Sequence, residues 1–139
     1  AANEIEVLRE EAEGATLKVI LETGALSSIE LIYNASLLAM AAGADFVKTS
    51  TGKIDVSATP EAVVTMCMAI KAYHSVTGRK VGIKVAGGVR TAEQAALYYT
   101  IVEQVLGKEW LSTDLFRIGA SSAANNILSA IVGEEVKYF

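Results

Sequence analysis

The sequence predicts an α/β fold of four consecutive strand–helix units on a parallel sheet, one half of a TIM-type (β/α)8 barrel. Three observations predict it. Short apolar runs alternate four times with longer stretches of helical apolar spacing along 139 residues. The short runs are apolar almost throughout, which suits parallel strands covered by helices. Lys18, Lys48, Lys84 and Gly119 fall at matching strand positions, 30, 36 and 35 residues apart. An open doubly wound sheet also accepts this alternation. However, no G-x-G-x-x-G follows the first strand and no acidic residue stands where a ribose would be held. A closed barrel typically takes about 250 residues and eight units; four units make a single half-barrel domain over 1–139, with open edges that need covering.

The elements follow in order. Residues 4–13 (EIEVLREEAE) read as the tail of a preceding helix, expected to pack beside the first strand. Strands are predicted over 16–21 (TLKVIL), 45–49 (DFVKT), 80–86 (KVGIKVA) and 115–119 (LFRIG). Each is followed by an amphipathic stretch, over 28–42, 61–75, 92–106 and 122–132 in turn. Gly14, Gly43, Gly78 and Gly133 stand at helix ends, where a left-handed cap favours glycine.

Composition narrows the function classes. A hydrophobic share of 52% exceeds the roughly 45–50% usual for soluble domains, so part of the apolar surface is expected to meet a partner. A net charge of −4 disfavours nucleic-acid binding, which wants a basic face. No window approaches the ~18–20 apolar residues of a membrane span. The amino terminus, Ala1-Ala2-Asn3-Glu4, shows no signal-peptide pattern and no initiator Met, so a processed, excised or fragmentary chain is expected, in the cytoplasm. The lone Cys67 sits among Met66, Met68 and Ala69 and reads as a buried, inert thiol. No Cys/His cluster suggests a metal. His74, near a helix end, reads as a surface or capping residue, and Trp110 as a packing anchor.

The chemistry is carried by lysines at strand ends. Phe46-Val47-Lys48-Thr49-Ser50-Thr51-Gly52-Lys53 places a lysine in an apolar run before a hydroxyl-rich, glycine-containing turn. Val81-Gly82-Ile83-Lys84-Val85-Ala86-Gly87-Gly88 repeats that setting 36 residues on. Two lysines aimed into one pocket lower each other's pKa, which makes an amine nucleophilic near neutral pH. That is Schiff-base chemistry. Lys18, mid-strand, points either to a solvated face or into the barrel mouth, and Lys53 has a plain reading as an exposed loop lysine. In a parallel barrel the chemistry sits at the carboxyl ends of the strands. There Gly87-Gly88-Val89-Arg90-Thr91 and Gly119-Ala120-Ser121-Ser122 lead into adjacent helices. Helix starts, paired glycines and hydroxyls make an anion site, with Lys53 and Arg90 as countercharge. A G-G-V-R-T turn alone is a weak signal; two adjacent glycine loops in half a barrel strengthen it.

These blocks, in this order and spacing, resemble deoxyribose-phosphate aldolase: L-K-V-I-L-E-T-G from Leu17, G-A-D-F-V-K-T-S-T-G-K from Gly43, G-I-K-V-A-G-G-V-R-T from Gly82, and F-R-I-G-A-S-S from Phe116. The resemblance spans nearly the whole chain and matches the carboxyl-terminal half of that family's barrel, strands five to eight. It implies that Lys48 forms the Schiff base, that Lys84 depresses its pKa and helps in proton transfer, and that Lys18 lines the pocket near the substrate hydroxyls. It further implies that Gly52, Lys53, Gly87, Gly88, Arg90, Gly119, Ser121 and Ser122 hold the phosphate. The implied reaction is reversible cleavage of 2-deoxy-D-ribose 5-phosphate to glyceraldehyde 3-phosphate and acetaldehyde, without metal or organic cofactor. The family's proton-relay aspartate belongs to the amino-terminal half, and Glu22 is the nearest carboxylate here. Tyr138 is penultimate where the family often ends in tyrosine, and Val85 stands where many relatives carry proline or a small residue. The expected partner is a second copy of the chain or the missing amino-terminal half. The competing expectations are a half-barrel that assembles into a barrel-like dimer without turnover and Schiff-base chemistry on a different phosphorylated aldehyde.

Overall fold

The computed structural model describes residues 1–120 and 123–138. Nine regular elements follow one another: α1 (Ala2–Glu11), β1 (Lys18–Ile20), α2 (Ile29–Ala41), β2 (Phe46–Lys48), α3 (Pro60–Thr77), β3 (Gly82–Ala86), α4 (Ala92–Leu106), β4 (Phe116–Gly119) and α5 (Ala123–Val132). Two 3-10 turns, Thr23–Ala25 and Lys108–Trp110, join them. The four strands lie parallel in sequence order, as in half of a barrel. Ser121 and Ser122 lie outside the described residues.

The helices start where local chemistry caps them. Ser28 accepts from the Leu31 N–H and Thr59 from the Ala62 N–H, with Pro60 pre-set for the first turn of α3. Thr91 and Gln94 form a reciprocal capping box at α4. Each cap is worth about 1 kcal/mol. Gly78 ends α3 in the left-handed region at φ 73°. The strands are shorter than predicted by one to three residues, mostly lost at their amino ends, where the chain leaves the ladder to form turns.

Strand alternation divides the sheet. Val47, Ile83 and Val85 are fully buried beneath the helices and pack with Val63, Met66, Ile70 and Val102. Each such side chain contributes about 1.5–3 kcal/mol. Cys67 is buried among them, and burial pushes its thiol pKa up to about 12, so it is inert as a nucleophile. Trp110 is 2% exposed and donates its indole N–H to the Val81 carbonyl at 3.0 Å, closing the bottom of β3. His74 is half-buried, edge-on to Trp110 at 5.2 Å, and so packs rather than caps.

The amino-terminal ends of the strands are held by Asp45. Its carboxylate accepts from Arg9 at 2.6 Å, Arg79 at 2.8 Å and the Leu17 N–H at 2.8 Å. Through Arg9, α1 packs on α2 and is tied to Asp45, whose carboxylate also holds the Leu17 N–H at the entry of β1. Gly43 makes this possible, because a Cβ there would come within 2.9 Å of the Arg9 stem.

Candidate active site

The strand face turned away from the helices is the inner face of a barrel, and it is cationic. The register aligns Ile20, Lys48, Lys84 and Arg117 in one row across the four strands. Lys18, Phe46 and Gly82 form the row below, and Ala86 and Gly119 the row above. The sequence periodicity treats Lys18, Lys48, Lys84 and Gly119 as equivalent positions. They share the face but occupy three successive rows.

At the carboxyl ends of the strands a cleft of about 500 Å³ opens. It is lined by Lys48, Lys84, Gly52, Lys53, Gly87, Gly88, Arg90 and Gly119, together with Thr51, Ala86, Val89 and Ala120. Eight of the eleven residues predicted for the site therefore meet in one cavity. Lys18 sits deeper on the same face, close enough for its charge to act on Lys84. Lys53 and Arg90 are exposed at the rim.

Side-chain volume is withdrawn where the lysines need room. A Cβ on Gly119 would lie 3.2 Å from Cε of Lys84 and 2.6 Å from Cβ of Ala86, so its absence leaves the lysine stem its channel. Gly87 and Gly88 adopt φ of 86° and 79°, a turn two side-chain-bearing residues would resist. The Gly87 carbonyl accepts from the Ala58 N–H, and a Cβ on Gly87 would strike Ser57 at 2.7 Å. The glycine loop is thus pinned to the segment that follows Lys48. At the tips of β2 and β3, the buried Thr49 hydroxyl donates to the Ala86 carbonyl at 2.8 Å and accepts from the Ala86 N–H at 3.0 Å.

Electrostatics single out Lys84. Burial, then the charges of Lys18, Lys48 and Arg117, hold its amine below the ordinary lysine value. Among the described residues, no carboxylate forms an ion pair with Lys18, Lys48, Lys53, Lys84, Arg90 or Arg117. Glu22 is engaged elsewhere. It takes a left-handed φ of 53° and accepts from the Thr51 hydroxyl and the Thr51 N–H. Thr51 in turn accepts from the Lys53 N–H at 3.2 Å, so Glu22 steadies the turn that carries Lys53. At the start of α4, the Arg90 and Thr91 N–H groups both donate to the Gln94 side chain. An anion at this loop would therefore meet the glycine backbone and the flanking cations rather than those two amides.

Sequence reasoning missed Arg117 and the Glu22–Thr51 contact. The first had a signal: Arg117 stands two residues before Gly119, and a period of two puts both on one face. The second depended on a backbone turn with no sequence mark.

Comparison with known proteins places these features. Residues 1–126 match the model of the family described as DeoC/LacD family aldolase. The mouse protein named deoxyribose-phosphate aldolase is 49% identical over 125 residues, which is 90% of this chain and 39% of that protein. The human protein of the same name is 45% identical over the same proportions. A crystal structure from Toxoplasma gondii ME49 superposes with a TM-score of 0.81 at 26% identity, covering 95% of this chain and 50% of that one. The aldolase QR15 superposes at 0.67 with 26% identity, over 95% of this chain and 50% of its own. The chain spans about two fifths of the length of the curated relatives it matches.

Proposed function

Because this chain belongs to the DeoC/LacD family of aldolases, we propose that it supplies the Schiff-base half of an aldolase that reversibly cleaves 2-deoxy-D-ribose 5-phosphate to glyceraldehyde 3-phosphate and acetaldehyde. The observation that carries this reading is the register pair Lys48↔Lys84 on the inner face, at the floor of the cleft and without a carboxylate partner among the described residues. Lys48 is the nucleophile. Its neutral amine adds to the substrate carbonyl, and the carbinolamine loses water to give an iminium that withdraws electrons as the carbon–carbon bond breaks. Release of the aldehyde leaves an enamine. Protonation at carbon and hydrolysis then return acetaldehyde and the free amine. Lys84, with its amine held below the ordinary lysine value, exchanges protons beside the reacting nitrogen. The amine itself activates the carbonyl, so the reading calls for no metal or organic cofactor.

The phosphate is assigned to the rim, where Gly87 and Gly88 bare their backbone and Lys53 and Arg90 bring charge. Gly52, at φ 81° and facing Gly87, lets the Lys53 turn come close. Borohydride reduction with acetaldehyde tests the nucleophile. The expected result is a single stable adduct on Lys48, lost in Lys48→Arg. An adduct spread over surface lysines, or none, would overturn the assignment.

The second reading, assembly without turnover, draws on the uncovered inner face. A second copy would set eight cations of the Lys18, Lys48, Lys84 and Arg117 type around one lumen. A complementary half with carboxylates would neutralise them. Charge therefore favours a complementary half that bears carboxylates over a homodimer as the covering partner.

A further inference from the structure

The inner cations of the cleft stand on strands, but the rim cation Lys53 stands on a stretch of chain that no core supports. We propose that Glu22 is a positioning residue for Lys53: from the loop after β1 it braces the turn after β2 through Thr51, and so holds the Lys53 backbone in place before any phosphate arrives. This rests on the reading of the cleft rim as the phosphate seat.

Residues 51–56 are all exposed, Ile54 and Val56 among them, so burial does not fix this segment. Contacts at its two ends do. At the far end Ser57 lies against Gly87, the Ala58 N–H donates to the Gly87 carbonyl at 3.3 Å, and the Ala58 carbonyl accepts from the Tyr98 hydroxyl at 3.1 Å. At the near end the ladder between β1 and β2 runs on past the strands. There the Leu21 and Thr23 N–H groups donate to the Lys48 and Thr49 carbonyls, both at 2.9 Å. Glu22 lies between these two bonds in a left-handed turn, and it is the one non-glycine residue with positive φ among the described residues. Such a backbone favours glycine, and a long side chain persists there only where its surroundings hold it.

The contacts of that side chain converge on one turn. Both carboxylate oxygens lie 3.3 Å from the Thr51 nitrogen, and one of them also accepts from the Thr51 hydroxyl. The same hydroxyl oxygen accepts from the Lys53 N–H at 3.2 Å. Because a carboxylate only accepts, the Thr51 proton is committed to Glu22, and the oxygen is left as an acceptor for the Lys53 amide. The brace therefore ends on the Lys53 backbone. The Lys53 ammonium forms no ion pair among the described residues and stays free for an anion. Glu22 is not among the residues lining the cleft, so it acts through Thr51 and not on a ligand. Two residues further on, a Cβ on Gly24 would come within 1.9 Å of the Val56 carbonyl oxygen, so the same loop also gives the segment room to lie against it. A cation ordered in advance spares its ligand the cost of ordering it.

Acetylation by acetic anhydride at pH 8, resolved peptide by peptide, reads Lys53 across a series of inorganic phosphate concentrations at constant ionic strength. Exposed Lys71 serves as the internal reference. Phosphate should protect Lys53 in the parent chain. Glu22→Ala should raise the phosphate needed for half protection about three- to tenfold, the usual cost of ordering one long side chain. Glu22→Gln, whose amide oxygen still accepts from Thr51, should stay close to the parent. The sign is decisive, because taking a carboxylate away from an anion would by charge alone tighten binding in both variants. Tighter or unchanged phosphate binding in Glu22→Ala would overturn the proposal. Cleavage of the Lys53–Ile54 bond by a lysine-specific protease, measured against cleavage after exposed Lys137, tests the brace without phosphate. That ratio should rise in Glu22→Ala and stay near the parent's in Glu22→Gln, and an unchanged ratio in Glu22→Ala would overturn the proposal. If phosphate fails to protect Lys53 in the parent, the phosphate reading falls and the cleavage ratio alone decides the brace. Should Glu22→Ala fail to fold, Glu22→Gly removes the same side chain while suiting the left-handed turn, and the same outcomes are read from it.

Discussion

Lys84 brings its amine into a field made by Lys18, Lys48 and Arg117, and this has a cost for the fold as well as a use for the chemistry. Burial and like charges depress its pKa in the folded state. Between the folded and the ordinary lysine values the unfolded chain binds more protons, so stability rises with pH through that window. The penalty is complete below the folded value. Lys84→Met should therefore raise the urea midpoint at pH 7, and the gain should shrink as pH approaches the ordinary lysine range. Urea titrations of both chains at pH 7 and in alkali measure this. A gain that stays constant across pH would show that methionine packing, not relief of charge, is the cause. The residues at this scale were largely legible. Lys48 and Lys84 announce themselves because lysine inside an apolar run demands a reason. Arg117 did not, since arginine in a short terminal strand looks like an ordinary solvated residue.

At the scale of elements, two contacts decide how the strands sit. Gly82 and Phe46 interlock across β2 and β3, and Gly82→Ala drives a methyl to 2.4 Å from the ring. The substitution should cost about 1–3 kcal/mol as the ring is displaced, read by chemical denaturation. The second contact is Asp45. Burial alone would raise its pKa, but hydrogen bonds from Leu17, Arg79 and Arg9 and the charge of Arg9 outweigh that and keep it low. A depressed carboxylate contributes stability above the ordinary carboxylate range and loses it as pH falls through the folded value. Asp45→Asn should cost about 1–2 kcal/mol near neutrality, discounted for a side chain 35% exposed. The difference from the parent should vanish in acid, which thermal melts at pH 7 and pH 3 would show. Helix bounds were legible to within two residues because caps and glycines mark them, as at Ser28, Thr59, Thr91 and Gly78. The ion pair that ties α1 to the sheet was not, because it runs from Arg9 to Asp45, 36 residues away.

The whole molecule is a sheet with helices on one face and cations on the other. Covering the inner face removes apolar surface at about 25 cal/mol per Å², while stacking two copies would crowd like charge. We expect weak self-association that strengthens as salt is raised, and tight association with the complementary half that weakens with salt. Sedimentation across a salt series distinguishes the two, and a homodimer that tightens at low salt would refute the charge argument. Turnover by the chain alone should fall about 10²–10⁴-fold below a complete aldolase, the usual cost of a missing general acid–base group. Full activity from these 139 residues would refute that.

What the sequence determined by itself is the alternation of four strands and helices, the face each strand residue takes, and the lysines and glycines that meet at the strand ends. These follow from periods of two and 3.6 and from the cost of burying charge, all local properties of the chain. Tertiary structure decided the rest. Register set Lys48, Lys84 and Arg117 in one row while shifting Lys18 and Gly119 off it, because hydrogen-bond ladders between strands more than thirty residues apart carry no local mark. The gap at Gly82, filled by a ring from one neighbouring strand on which an arginine from the other stacks, exists only once three strands lie side by side.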